Sequence, residues 1–129
     1  MIINWGRILN AGLIAEILNL LIYKFLVLAD PLYATPTPRA ISVGVAVMFL
    51  SILIAAMWVG RKIESNFILH GFLVGIVAIV YYVLINLPDT ISGQSDMNNF
   101  IAALIGHPPK LLGGIVGGYI AGKLKAKAV

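Results

Sequence analysis

Three stretches of about twenty apolar residues, and a fourth that prolines interrupt, limit the folds open to this chain. The first runs from about Ile8 to Leu28, the second from about Ala40 to Val59 and the third from about Phe67 to Leu87. About 20 apolar residues in helical form cross a hydrocarbon core about 30 Å thick. Lipid offers the backbone no hydrogen-bond partner, so each stretch is expected to be a helix. A membrane barrel would need alternating strands of about ten residues, a pattern this sequence lacks.

The fourth stretch is less regular. Ser95-Asp96 offers a helix cap, Phe100 to Ile105 is apolar, and His107-Pro108-Pro109-Lys110 then interrupts. Proline removes a backbone donor and disfavours helix just before it, yet suits the first helical position. The pattern predicts a short interfacial or re-entrant helix over 96–106 and a last span over 109–125. A single kinked helix over 98–124 is the competing reading, because buried prolines do occur in membrane helices. The fold expected is therefore an all-α integral membrane protein, one domain over 1–129. It is a bundle of four transmembrane helices with a short interfacial helix before the last span.

Composition agrees. Hydrophobic residues make up 60% of the chain and charged residues 11%, against about 45–50% and about 25% in soluble domains. A soluble enzyme, a disordered tail and a nucleic-acid-binding module are thereby excluded. The absence of cysteine removes disulfides, thiolate metal sites and cysteine nucleophiles. The Ile8 to Ala29 run exceeds the 7–15 residues of a typical signal-peptide core. It also carries Glu16 and Lys24, so it reads as a retained helix.

The net charge of +4 comes mostly from Lys and Arg beside the apolar runs, where they act as topology signals and contacts to anionic lipid. With four spans, Arg7, Arg61, Lys62, Lys123, Lys125 and Lys127 share one side with Glu64. Lys24, Arg39 and Lys110 share the other with Asp30, Asp89 and Asp96. This bias predicts both termini on the cytoplasmic face of the cell (inner) membrane. Trp5 and Trp58 fall on that same side, as an aromatic belt would.

Few residues could carry chemistry. Glu16 lies roughly 13 Å along the first helix from Arg7, and a carboxylate at that depth must face protein or water. Gly12, Glu16, Asn19 and Tyr23 share its face. Two readings stand side by side: a proton or cation relay, or hydrogen-bonded glue between helices that pairs Glu16 with Asn19 and a neighbour. His70 could bind a haem or metal, or could bond at the interface. Two isolated histidines make no zinc site. No nucleophile elbow, phosphate loop, dinucleotide fingerprint or carboxylate pair occurs, so neither an enzyme nor a bound cofactor is expected.

The most specific pattern is in the last stretch. Gly113, Gly117 and Ala121 form one ridge of small residues, and Gly114, Gly118 and Gly122 a second. Gly71 and Gly75 form a smaller ridge in the third run, and Ser51, Ala55, Ala56 and Gly60 line the second. In lipid such ridges let helix backbones approach closely. Two ridges on one helix exceed what a single neighbour needs, which predicts docking to other membrane subunits or to a second copy. The function expected is an accessory or assembly subunit of a larger membrane complex. The alternatives are an oligomeric transporter or channel component using Glu16, and a cofactor-binding subunit using His70.

Overall fold

The computed structural model describes residues 2–93 and 97–129, with residues 90 and 97–104 described by their backbone alone. Helix α1 spans Trp5–Ala29, α2 spans Pro38–Gly60, α3 spans Phe67–Ile91 and α4 spans Met97–Lys127. A single 3-10 turn, Pro31–Ala34, lies between α1 and α2. Among the described residues there is no strand. Three helices, over Trp5–Ala29, Pro38–Gly60 and Phe67–Asp89, are long and apolar enough to cross a membrane.

Local chemistry sets the helix starts. The Asn4 side chain accepts from the Arg7 N–H at 3.3 Å and caps α1. Thr37 accepts from the Ala40 N–H at 3.2 Å, with Pro38 in the first helical position, where its missing donor costs nothing. The proline-rich connection between α1 and α2 contains a turn in which the Asp30 carboxylate accepts from the Leu32 N–H at 3.0 Å. Before α3 the chain reverses at Asn66, whose φ of 57° is in the left-handed region that asparagine tolerates better than most residues.

Prolines end helices less often here than the sequence suggests. Pro88 lies inside α3, and Pro108 and Pro109 lie inside α4. The separate short helix over 96–106 and the start of a last span at Pro109 are therefore corrected to one continuous helix. The proposed cap at Ser95 and Asp96 lies outside the described residues. The physical reason is downstream: from Lys110 onward, α4 is seated by backbone contact on two neighbours, which holds the helix together despite the donors the two prolines lack.

Those neighbours are α2 and α3. A Cβ at Gly113 would strike the Phe49 backbone, and one at Gly117 the Leu53 backbone. On the adjacent ridge, a Cβ at Gly114 would strike the Gly71 backbone and one at Gly118 the Phe67 backbone. Ascending numbers on α4 thus meet ascending numbers on α2 and descending numbers on α3, so α4 runs parallel to α2 and antiparallel to α3. Helix α1 packs on α2 and on α3, parallel to α3, with Gly12 against Val77 and Ala78. Because α2 and α3 also touch, while the backbones of α1 and α4 do not approach each other closely among the described residues, the cross-section is a rhombus. Helices α1 and α4 occupy its far corners.

On α1, α2 and α3 burial is confined to one half of the length, while on α4 it reaches Gly106 beside Met48. On α1 the buried residues end at Glu16, on α2 they begin at Ser51 and on α3 they end at Ala78. This closed half holds both chain ends and the turn between α2 and α3. Its core is Ile8, Ala11, Ala15, Ile52, Val59 and Val74, with small residues between them.

Candidate functional site

At the boundary between the closed and open halves lies a charged pair. Glu16 of α1 and Lys110 of α4 form a salt bridge across the long diagonal of the rhombus, and both side chains are almost wholly buried, at 2% and 1% exposure. The sequence builds this site from both corners. On α1, Gly12 and Ala15 are small and buried, which brings the Glu16 face deep into the bundle. On α4, side chains lean toward the helix N-terminus, so the long Lys110 stem carries its ammonium away from the closed half and up to Glu16. Gly75 of α3 sits against the Lys110 carbonyl, where a Cβ would come within 2.8 Å.

Two aromatic groups complete the cluster. The Lys110 ammonium lies 4.5 Å from the centre of the Tyr82 ring, a cation–π contact whose strength grows where water is excluded. His107, one turn before Lys110, meets Tyr82 edge to face with ring centres 5.5 Å apart and planes at 81°. The Asn86 side chain donates to the Tyr82 carbonyl at 2.8 Å. Tyr82 and His107 are half-buried, so they form the side of the cluster that faces the open half. The His107 Nδ1 atom is buried without a hydrogen-bond partner.

Chemically, this is a neutral pair of opposite charges in a dry setting. Removing either partner leaves the other charge uncompensated, which is far more costly than exchanging both for apolar groups. A cation or proton arriving at the Glu16 carboxylate must compete with the Lys110 ammonium for the same oxygens.

The interhelical reading of Glu16 names Asn19 and a neighbour as its partners, and the neighbour in the structure is Lys110 of α4. Asn19 is half-buried and Tyr23, at 47% exposure, turns outward. Lys110 stands second in the predicted span over 109–125, at the end far from the termini, and in the structure it is a buried residue within the longer helix α4. Sequence reasoning therefore missed Lys110, Tyr82 and His107 as partners of Glu16. The available signal was the three-residue spacing of His107 and Lys110, which puts both on one helix face once the helix is continuous.

His70 is buried and bridges two helix starts. Its Nε2 accepts from the Asn4 N–H at 3.3 Å, and its Nδ1 donates to the Asn66 carbonyl at 2.9 Å. Both ring nitrogens are thus engaged in hydrogen bonds within the chain. The small-residue ridges on which docking was expected are filled from within: Gly113, Gly117 and Ala121 face α2, while Gly114, Gly118 and Gly122 face α3, and Gly71 and Gly75 face α4. Two ridges on one helix serve two neighbours, and both neighbours belong to this chain. In the terminal basic run, Lys125 donates to the Ile63 carbonyl and ties the end of α4 to the turn between α2 and α3.

No family model matches this chain, and neither does any curated protein or solved structure.

Proposed function

We propose that this chain is a membrane bundle of four spans and a component of a system that moves protons or small cations, with Glu16 on the path and Lys110 as its exchangeable partner. The single observation that carries this reading is the buried Glu16–Lys110 pair on the bundle diagonal. A charge within the membrane is costly to insert, at about 2.5–3.5 kcal/mol on insertion scales, and such residues mark ion and proton pathways. The half-buried Tyr82 and His107 stand between the pair and the open half, and that side is the proposed point of entry.

The same reading sets α4 across the membrane beside α2 and α3. With Lys110 buried against Glu16, the open end retains Lys24 and Arg39 against six basic residues at the closed end. That bias supports cytoplasmic termini in the cell (inner) membrane. The ridges of α4, one ground for an accessory-subunit reading beside the short loops and the lack of a catalytic constellation, pack against α2 and α3 of this chain.

The test is proton entry into liposomes holding the purified chain, driven by a clamped potassium diffusion potential and read with an internal pH dye. Wild-type vesicles should acidify faster than protein-free ones, and Glu16→Gln should reduce the excess at least tenfold. Wild-type vesicles no leakier than empty ones, with the same null result for sodium and potassium, would defeat the proposal.

A further inference from the structure

A second site lies on the outer face of the closed half, away from the ion pair. An open groove of about 740 Å³ runs between α3 and α4. Gly118 and Gly122, which pack against Phe67 of α3, line its floor, and Ile68 and Ile115 line its walls. From Ile115 to Lys123 the groove follows α4 for roughly 12 Å. The polar end is made by Asn66 and Lys123. The Lys123 ammonium lies over the Tyr119 ring, 5.6 Å from its centre. Among the described residues the one ion pair is Glu16–Lys110, so Lys123 has no carboxylate partner.

We propose that this groove holds one anionic glycerophospholipid, with an acyl chain along the glycine floor and the phosphate at Lys123. Charge complementarity selects this occupant. The closed end carries Arg7, Arg61, Lys62, Lys123, Lys125 and Lys127 against Glu64, which attracts an anionic headgroup, each Lys or Arg near the surface adding about fivefold in affinity. A second copy laid parallel in the groove would bring two such basic ends together. The inference needs only that the bundle lies in a membrane, and it stands or falls separately from proton or cation movement through Glu16.

The experiment is native mass spectrometry of the full chain in mild detergent, titrated with dioleoyl phosphatidylglycerol or dioleoyl phosphatidylcholine. The wild type should bind the first phosphatidylglycerol about fivefold more tightly than phosphatidylcholine, the preference one cationic contact supplies. Lys123→Gln should erase that preference while leaving phosphatidylcholine binding unchanged. Filling the groove by Ile68→Trp, at a position 49% exposed, or by Ile115→Trp from the opposite wall, should weaken both lipids several-fold without lowering the melting temperature. Equal affinity for the two lipids in the wild type would overturn the proposal, as would a preference that survives Lys123→Gln. Wild-type binding in both tryptophan variants would show an adventitious association, and competition by soluble glycerophosphoglycerol would show a bare anion site in place of a lipid groove.

Discussion

The two halves of this bundle are held by different means. In the closed half, glycines let α4 touch the backbones of α2 and α3, and the buried residues of all four helices meet there. In the open half, α1 beyond Glu16, α2 before Ser51 and α3 beyond Ala78 bury no described residue. Both halves are equally apolar to the eye: Leu20, Leu21 and Phe25 are as greasy as Ile8 and Val74. The difference is side-chain size. In lipid, apolar character gives helices no reason to associate, and small residues that permit close approach do. The ion pair stands where close approach ends, and supplies the link between the two corner helices that packing does not.

The comparison can be broken in four places. The largest effect belongs to Gly114→Leu, since even a Cβ there lies well inside 3.0 Å of the Gly71 carbonyl oxygen. We expect no cooperative unfolding transition in detergent, a loss above about 4–5 kcal/mol; near-normal melting would mean the ridges are not what closes this half. Next is Lys110→Met, which leaves Glu16 buried and alone. Its expected cost is about 3–5 kcal/mol, most of it recovered by adding Glu16→Gln. A double variant no more stable than Lys110→Met would show that the two groups do not compensate one another.

Smaller again is His70→Ala, which deprives the Asn4 N–H of its acceptor at a cost of about 1–3 kcal/mol. Hydrogen exchange at the first turn of α1 should rise with it, and unchanged protection there would remove the clamp between α1 and α3. The smallest effect is expected in the open half. Gly44 in α2 has nothing within 4 Å of a would-be Cβ, so Gly44→Ala should stabilise by about 0.4–1 kcal/mol through the unfolded chain. A loss there would mean the open half packs against something at that position.

Much of this architecture was legible because lipid allows so few answers. Runs of apolar residues near the length of a membrane core fix helices, and short connections alternate their direction. The small-residue ridges of α4 were legible as surfaces of close approach, but not their partners. Spacing says that Gly113 and Gly114 face different ways; it does not say whether α2, α3 or another molecule waits there. The ion pair was only half visible. Glu16 declares itself by its place in an apolar run, whereas Lys110 is hidden by Pro108 and Pro109. Local propensity argues for a break at that dipeptide, and the backbone contacts just beyond it hold the helix together. Tyr82 was hidden for another reason: nothing in its neighbourhood distinguishes an interfacial tyrosine from one that covers a lysine.

The separation of 94 positions between Glu16 and Lys110 has a consequence for how the protein is made. At about 5–20 residues per second, the base emerges from the ribosome roughly 5–20 s after the acid. During that wait Glu16 lacks the partner it holds in the finished bundle, which arrives only with the last helix. The pair is therefore a closing step of assembly, since it cannot form until α4 has joined the other three helices.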